Sequence, residues 1–220
     1  MNESQSFLCL EEFDEVVPID SKDCVPFLMN VHYLRRMPNI MYAFGYIRNS
    51  KLIGVCTFGI PASNSLCEGV CGKEYRKDVL ELNRLVILPS YSEKNLASSF
   101  VGKALRLLPR KKIIVSYADT MWGHIGKVYQ STNWHYTGAT LERTDAFSGG
   151  KHSRTCVIDK DIRQSRSSKH RYIFFTGTPR DKKILRRSLK YPILEYPKGE
   201  SCRYDTEAPV PQKPMVVYKR

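Results

Sequence analysis

The run VLELNRLVIL, at residues 79–88, is the segment that most constrains the fold of this chain. Its apolar character predicts a strand at the centre of a sheet, and Pro89 ends that strand. The helix predicted next, at about residues 93–108, carries apolar residues on one face at helical spacing: Leu96, Phe100, Ala104 and Leu107. A buried strand followed directly by a helix that packs on it indicates a core built from both kinds of element.

The other predicted elements complete an α+β pattern. A short strand is expected at residues 6–13, and a helix is expected to begin at Ser21 and run toward Met37. Two strands at residues 40–48 and 51–60 are joined by Asn49 and Ser50, which is a hairpin signal. The remaining predictions are a loop at 61–78, a strand at 113–119, a helix at 124–133, and strands at 134–143, 154–159 and 171–175.

The charge of the chain favours a polyanionic partner, and nucleic acid is the first candidate. Lys and Arg number 35 against 22 Asp and Glu, which gives a formal net charge of +13. The excess is concentrated in residues 151–190, whereas residues 1–34 are net acidic. The alternative, that these runs of charge are ordinary solvated faces, remains open.

The sequence predicts an intracellular protein of one main domain. No stretch approaches the roughly 20 consecutive apolar residues of a membrane span, and the acidic N-terminus does not resemble a signal peptide, so we expect a cytoplasmic location and no membrane contact. Seven cysteines favour free thiols. A structural zinc site at Cys67 and Cys71 is a minor alternative.

The length of 220 residues allows one compact domain with an appendage. We expect a catalytic domain at residues 1–147, a basic C-terminal extension at 148–198 that packs on it and contacts DNA, and an extended tail at 199–220. The oligomeric state is left open, with a homodimer as one option.

Several segments together resemble the Mom family of phage DNA-modification proteins, which have a fold like the GNAT acyltransferases. They are ELNRLVI (81–87), SYAD (116–119), HIGKVYQSTNWHYTG (124–138), GKHSR (150–154), KHRYIFF (169–175) and LKYPILEYPK (189–198). The resemblance implies a mixed, mostly antiparallel central sheet flanked by helices. It also implies transfer of a carbamoylmethyl-type group to the exocyclic amine of adenine in DNA, which would protect the DNA from host restriction.

Two other functions remain open at this stage. One is an N-acetyltransferase that uses acetyl-CoA on a protein or small-molecule amine. The other is a DNA-binding protein without catalytic activity. Polar residues inside the predicted core strands argue against the second, because buried polar groups cost free energy unless they are used.

The resemblance places the acyl carrier at the start of the helix after the central strand, where unpaired N–H groups favour an anion. The residues expected there are Tyr91, Ser92, Lys94, Asn95 and Leu96. The usual glycine-containing signature is absent, since no glycine lies between Pro89 and Gly102. Acetyl-CoA and an aminoacyl-tRNA-type donor therefore both remain candidates, and Ser92 could instead be a helix cap only.

The candidate catalytic residues lie on the two central strands and the elements beside them. Alternation along a strand predicts Glu81 and Asn83 on one face and Arg84 on the other. A carboxylate could take a proton from the attacking amine, and an arginine could hold phosphate or carboxylate. The alternative is a buried Glu–Arg pair. The other candidates are Ser116, Tyr117, Asp119, Tyr129, His32 and Tyr33.

For Asp119 and Tyr129 a structural role is equally open. Asp119 either orients the base or caps a turn. Tyr129 either acts as an acid near the departing carrier or packs in the core. If the reaction required iron, the ligands would come from His32, Tyr33, Asp119 and His124. The two histidines are the first candidates among them.

Basic and aromatic residues near the C-terminal end are expected to bind nucleic acid: Lys151, His152, Arg154, Lys169, Arg171 and Tyr172. An enzyme that modifies the pairing amine of adenine must extrude the base, and Tyr172, Phe174 or Trp134 could stack on it. The alternative is that these aromatic residues belong to the core.

Overall fold

A computed structural model describes residues 14–109, 111–147, 159–200 and 215–217. The strands are β1 (Asp14–Pro18), β2 (Tyr42–Arg48), β3 (Lys51–Gly59), β4 (Val79–Ile87), β5 (Ile113–Asp119), β6 (His135–Ala139), β7 (Arg143–Phe147), β8 (Asp159–Arg166), β9 (Lys169–Phe175) and β10 (Met215–Val217). The α-helices are α1 (Asn64–Gly69), α2 (Leu96–Leu107), α3 (Lys127–Ser131) and α4 (Pro179–Ser188). Short 3-10 turns lie at Ser21–Cys24, Lys73–Asp78, Pro89–Tyr91 and Thr120–Trp122, and a π-turn lies at Phe27–Val31.

Seven strands form one sheet in the order β1-β2-β3-β4-β5-β9-β6. Every neighbouring pair is antiparallel except β4 and β5, which are parallel. The predicted α+β class, with a mixed and mostly antiparallel central sheet flanked by helices, is confirmed. A smaller sheet has the order β10-β8-β7.

The sheet is packed on both faces. On one face, α2 presents Leu96, Phe100, Val101 and Ala104 to a core that includes Leu80 and Leu82 of β4. The other face carries two clusters: one around Val79 and Val115, and one that joins Val86 to Leu28 of the π-turn. The central strand is buried from both sides, as its apolar run predicts.

The parallel pair β4–β5 separates along its length. The two strands pair only at Val79, Leu80 and Glu81 of β4, opposite Ile113, Ile114 and Val115. One residue further on, the Ser116 hydroxyl donates to the Leu82 carbonyl at 2.8 Å, which satisfies an acceptor that the ladder no longer pairs. The opening between the strands therefore begins directly after Glu81.

Local predictions are confirmed where the turn chemistry is strong. Asn49 and Ser50 both have positive φ, at 48° and 62°, as a two-residue hairpin requires. The predicted strand at 6–13 and most of that at 154–159 lie outside the described residues.

Two local predictions are wrong. The helix expected to run toward Met37 ends at Val31, because a π-turn closes with the His32 N–H bonded to the Phe27 carbonyl at 2.9 Å. The loop predicted at 61–78 contains α1, which the Ser63 side chain caps. One element was not predicted: the basic segment at 179–188 forms α4, with a capping box between Thr178 and Asp181.

The segment predicted as a C-terminal extension contributes to the main sheet. Its strand β9 lies between β5 and β6, and it pairs with β5 over all seven residues from Ile113 to Asp119. Residues on both sides of position 147 therefore contribute strands to the same sheet. The division into a catalytic domain and an extension stays a prediction.

Two further observations concern the length of the helices and the state of the cysteines. Among the described residues, none of the helices is both long and apolar enough to cross a membrane. Four of the seven cysteines lie in the described part, and all four are free and buried: Cys24, Cys56, Cys67 and Cys71.

Candidate active site

A β-bulge in β4 gives the site its arrangement. In the pairing with β3, Phe58 lies opposite Leu82 and Thr57 lies opposite Arg84, so Asn83 is an extra residue. Alternation is shifted beyond this point: Leu80 and Leu82 face α2 before the bulge, and Leu85 and Ile87 face it afterwards. Arg84 therefore lies on the same face as Glu81, and the prediction that they lie on opposite faces is wrong because it assumed an unbroken strand.

Asn83 holds the bulge through its side chain. Its Oδ1 accepts a hydrogen bond from Thr57 Oγ1 at 2.6 Å, and its Nδ2 donates to the Asn39 carbonyl at 2.8 Å. The approach of Asn39 requires a glycine at position 59, since a Cβ there would lie 1.9 Å from the Asn39 oxygen. Asn83 thus fixes the backbone from which Arg84 projects.

Glu81 and Arg84 are both taken out of water without forming an ion pair. Burial raises the pKa of Glu81, and the charges of Arg84 and Lys169 only partly oppose this. Burial lowers the pKa of Arg84. Arg84 Nη1 donates to the Asn83 carbonyl at 2.6 Å and Nη2 to the Arg36 carbonyl at 3.5 Å. The alternative of a self-satisfied Glu–Arg pair is not what the side chains form.

Asp119, at the end of β5, is engaged by several donors. Its carboxylate accepts from Lys169 Nζ at 2.7 Å, from Ser167 Oγ at 2.5 Å and from the Met121 N–H at 3.1 Å. Burial raises the pKa of Asp119, but the hydrogen bonds from Lys169 and Ser167 outweigh it, so the pKa lies below the ordinary aspartate value. The hydrogen bond from the Met121 N–H is the capping interaction predicted for Asp119. The ion pair with Lys169 also fixes the Asp119 side chain.

The π-turn delivers His32 and Tyr33 to the face of the sheet that carries Arg84. The rings of His32 and Tyr33 stack with centroids 4.3 Å apart. Burial and the charge of Arg84 lower the pKa of His32 to about 3, so the imidazole is neutral. Its Nδ1 accepts from the Leu34 N–H at 3.0 Å, which assigns the ring proton to Nε2. His32 is therefore a neutral hydrogen-bond donor.

Tyr33 also contacts two aromatic side chains in the segment that follows β5. Its ring lies 4.8 Å from that of Trp122 and 5.8 Å from that of His124. Burial raises the pKa of Tyr33 to about 12, and the charge of Asp119 adds to this. Trp122 was not among the residues predicted from the sequence. Its position could have indicated it, because it is a tryptophan in a short turn directly after β5, the strand that carries Ser116, Tyr117 and Asp119.

Ser116 and Tyr129 lie on the α2 side of the opening. Ser116 Oγ is 2.8 Å from Tyr129 Oη. Burial raises the pKa of Tyr129 above the ordinary tyrosine value, and Tyr33 and Glu81 on the far side contribute to the shift. Tyr117 is on the same face as Glu81, and burial raises its pKa in the same direction. Charges on one face of the sheet therefore act across the opening on the Tyr129 hydroxyl on the other face.

The predicted iron ligands do not fit a metal centre. Within the part of the chain that the structure describes, three or more His, Cys, Asp or Glu side chains nowhere form a group that could hold a metal ion. His32 Nδ1 and the Asp119 carboxylate are already occupied by hydrogen bonds from the protein.

The start of α2 offers a place for an anionic carrier. Asn95 precedes the helix in a left-handed conformation, with φ at 65°, and does not cap it with its side chain. The first-turn N–H groups of such a helix are available to an anion. Asn95 also lines an open groove of about 820 Å³ between α2 and the end of β9, with Ser98, Ser99 and Arg106. Tyr91 and Ser92 lie upstream, in and just after the 3-10 turn at Pro89–Tyr91, and Leu96 is a buried core residue.

The predicted nucleic-acid contacts have mixed outcomes. Lys151, His152 and Arg154 lie outside the described residues. Lys169 is paired with Asp119, and Arg171 donates to Thr137 and lies 3.5 Å above the Tyr191 ring. Tyr172 and Trp134 are fully buried in the core. The structure contradicts base stacking by these two rings, because Tyr172 lies on β9, which is paired on both sides with β5 and β6, and Trp134 packs against Tyr129 and Phe174.

Solved structures similar to this chain include several acetyltransferases. An N-acetyltransferase from Staphylococcus aureus Mu50 has a TM-score of 0.46 and 12% identity over 74% of this chain and 98% of that one. A GNAT-family acetyltransferase from Bacillus cereus has a TM-score of 0.46 and 12% identity over 76% and 99%. Arabidopsis thaliana NAA60, in complex with acetyl-CoA, has a TM-score of 0.49 and 9% identity over 74% and 98%.

Sequence comparison is more specific. The chain is 32% identical over 113 residues to the methylcarbamoylase Mom of Escherichia phage Mu. The match covers 49% of this chain and 46% of that protein, so the chain spans about half the length of this relative. The model of the Mom protein family matches residues 14–198, which include β1 to β9 and every candidate catalytic residue. The chain therefore belongs to the Mom protein family.

Proposed function

We propose that this chain transfers a carbamoylmethyl-type group from an activated donor to the exocyclic amine of adenine in DNA, in the cytoplasm of an infected host cell. Family membership supports the reaction class, since the phage Mu relative is a methylcarbamoylase. The single observation that carries the proposal is the opening between β4 and β5, where the charge of Glu81 acts on both Arg84, on its own face of the sheet, and Tyr129, on the α2 side.

Glu81 is the better candidate for the general base. A base must be free to accept a proton, and a carboxylate whose pKa is raised accepts it more readily. The pKa of Glu81 is raised by burial, whereas the pKa of Asp119 is lowered and its oxygens are held by Lys169 and Ser167. In this proposal Asp119 is a positioning residue, which holds Lys169 near Glu81.

The reaction forms one bond and breaks one. The adenine nitrogen attacks the methylene carbon of a carbamoylmethyl group that is already assembled on its carrier, and the carrier departs with the electron pair of the carbon–carrier bond. The amine proton passes to the Glu81 carboxylate. The Tyr129 hydroxyl gives its proton to the departing carrier, and the neighbouring Ser116 hydroxyl, 2.8 Å away, orients it.

The acceptor base would enter on the face of the sheet that carries Tyr33. An adenine that reacts at its pairing amine must leave the stack, and aromatic side chains can receive it. Trp122, Tyr33 and His124 form such a set, and the neutral His32 can donate a hydrogen bond from Nε2. This set takes the place of Tyr172 and Trp134 in the proposal.

The donor would lie on the opposite face, along α2. Its carrier would place an anionic group at the N-terminus of α2, beside Asn95, and extend into the adjacent groove. Coenzyme A and a tRNA both carry phosphate, and both are candidates for the carrier of the carbamoylmethyl group. Acetyl-CoA itself has no amide nitrogen, so it would supply only the alternative reaction, N-acetylation.

Restriction protection tests the proposal in cells. Plasmid DNA from cells that express the wild type is digested with two panels of restriction enzymes: one whose sites contain adenine, and one whose sites contain only guanine and cytosine. The proposal predicts resistance to the first panel alone, and loss of that resistance with Glu81→Ala. Equal digestion by both panels at high expression would contradict it and would favour an acetyltransferase of another amine.

A further inference from the structure

Arg84 is a buried cation with an unoccupied hydrogen-bonding edge. The residue is 8% exposed. Its Nε is one of two buried side-chain polar atoms that have no hydrogen-bond partner among the described residues. The neighbouring Nη2 makes only a long contact of 3.5 Å with the Arg36 carbonyl. The Nε and Nη2 atoms form one edge of the guanidinium, and this edge is the one that is not satisfied.

Arg48 shows how the same edge is used elsewhere in this chain. Arg48 is 7% exposed, about as buried as Arg84. Its Nε and Nη2 hold the two carboxylate oxygens of Asp14 at 2.7 and 2.8 Å, and its Nη1 holds Glu93 at 2.6 Å. The two arginines therefore differ in their pairing: Arg48 has its counter-ions among the described residues, and Arg84 has none there.

The surroundings of Arg84 do not supply the missing charge. None of the ion pairs found in the described ranges includes Arg84. Arg36 is a second cation close enough to lower the pKa of Arg84. Glu81 is the acid whose charge acts on Arg84, but the two side chains form no ion pair, and Asp119 is paired with Lys169. Burying a charge is unfavourable unless it is paired, so an arginine without a counter-ion among the described residues calls for an external anion.

We propose that the Nε and Nη2 edge of Arg84 is a binding site for an oxyanion, held through two parallel hydrogen bonds as Arg48 holds Asp14. The ligand is a carboxylate or a phosphate, because these groups present two oxygens at the spacing of the guanidinium fork. The inference deepens the proposed function: the anion belongs either to the transferred unit, as a carboxylate, or to the backbone of the acceptor strand, as a phosphate.

The first test measures binding by thermal unfolding of the full chain at constant ionic strength, with chloride as the reference salt. Acetate and glycine represent the carboxylate source, and inorganic phosphate and a short single-stranded oligonucleotide represent the phosphate source. At least one source is expected to raise the melting temperature of the wild type. Arg84→Lys keeps the charge but loses the fork, and should weaken the binding by about tenfold or more.

The second test asks whether Arg84 is there for the fold. Arg84→Met removes the charge at similar length and should raise the melting temperature without ligand, because the buried cation has no counter-ion to lose. The same variant should lose the response to the oxyanion. Arg76→Met is the matched control: it removes only a surface ion pair with Glu68, outside the basic C-terminal extension, and should change neither property measurably.

The outcomes separate this inference from the proposed function. A response to acetate or glycine that needs Arg84 assigns the anion to the transferred unit, and a response to phosphate or oligonucleotide assigns it to the strand. The inference is overturned if all four probes stabilise wild type and Arg84→Met equally, or if Arg84→Met unfolds the protein as a structural arginine would. Oxyanion binding by a protein that leaves plasmid DNA sensitive to restriction would uphold the inference and reject the function.

Discussion

Glu81 and Arg84 lie on the same face of β4 although they are three positions apart, because Asn83 is accommodated as an extra residue between them. A regular strand would have placed Arg84 in the α2 core, among Leu82 and Phe100. The bulge instead places a buried carboxylate and a buried guanidinium on one side of the opening. Bulges re-aim side chains in this way next to active sites.

The titration of Glu81 gives the first prediction. Burial raises its pKa above the ordinary value of 4.5, so the folded state binds the proton more tightly than the unfolded state. The free energy of unfolding therefore falls as the pH rises through the raised pKa. Glu81→Gln cannot titrate, and it should be more stable than the wild type at neutral pH while it loses DNA modification.

Urea unfolding of both proteins between about pH 4 and 8 measures this difference. The gap in stability should open in favour of Glu81→Gln as the pH rises. A variant that is less stable than the wild type at neutral pH would show that ionised Glu81 stabilises the fold, which contradicts the assignment.

The hydrogen bond between Thr57 and Asn83 gives the second prediction. Thr57 is fully buried, and Thr57→Val removes its hydroxyl at similar volume. Leaving the Asn83 oxygen without this donor should cost about 1–3 kcal/mol, and DNA modification should fall because the bulge no longer fixes Arg84. Thr176→Val is the control: it removes a buried hydroxyl that bonds the Lys112 N–H at 2.8 Å, at the opposite end of β5.

Both threonine variants should lose similar stability in chemical unfolding, and only Thr57→Val should lose modification. Equal loss of modification in the two would mean that stability alone limits the activity.

Two glycines give the third prediction. Gly59→Ala would bring a Cβ within 1.9 Å of the Asn39 carbonyl, and this backbone contact cannot move aside. We expect it to destabilise the protein by about 1–3 kcal/mol or more, through overpacking. Gly102→Ala, on α2, meets nothing within 4 Å and should stabilise the helix by up to about 1 kcal/mol. Thermal unfolding of the two variants measures whether each one is destabilised or stabilised. A Gly59→Ala variant as stable as the wild type would argue against the close approach of Asn39.

The ion pair of Asp119 and Lys169 gives the fourth prediction. The pKa of Asp119 is lowered, so its contribution to stability is present above the unfolded value and is lost as the pH falls through the folded value. Asp119→Asn should therefore be less stable at neutral pH, and the difference from the wild type should shrink in acid. The loss should be about 1–3 kcal/mol, because a buried acceptor is replaced by one that cannot pair with Lys169.

Asp78→Asn is the matched control for this ion pair. Asp78 pairs with Lys112 at 3.2 Å, away from the opening between β4 and β5. Its loss should leave DNA modification unchanged, whereas Asp119→Asn should reduce it. If Asp119→Asn retains full activity, the positioning role of Asp119 is wrong.

The sequence predicted the features that depend on local chemistry. The buried central strand follows from its apolar run, and the β2–β3 hairpin follows from Asn49 and Ser50. The resemblance to the Mom family directed attention to Glu81, Arg84, Asp119 and Tyr129, and the structure brings these together around the opening of the sheet. The helix α4 was also within reach, because Thr178, Pro179 and Asp181 form a recognisable helix start.

The features that depend on distant pairing were out of reach. Tyr172 lies in a basic segment that looks like a surface arm, and it is buried because β9 pairs between β5 and β6. The position of Arg84 depends on a bulge that only the register with β3 reveals. The π-turn that delivers His32 depends on the packing of Leu28 against Val86, which the local sequence does not encode.

The central claim is that the chain modifies adenine, and the mass of the nucleosides tests it most directly. Plasmid DNA from cells that express the wild type, Glu81→Gln or the control Asp78→Asn is digested to nucleosides and analysed by mass spectrometry. We predict a deoxyadenosine heavier by one carbamoylmethyl substituent with the wild type and with Asp78→Asn, and only unmodified deoxyadenosine with Glu81→Gln. Unmodified deoxyadenosine in all three, at matched expression of folded protein, would contradict it.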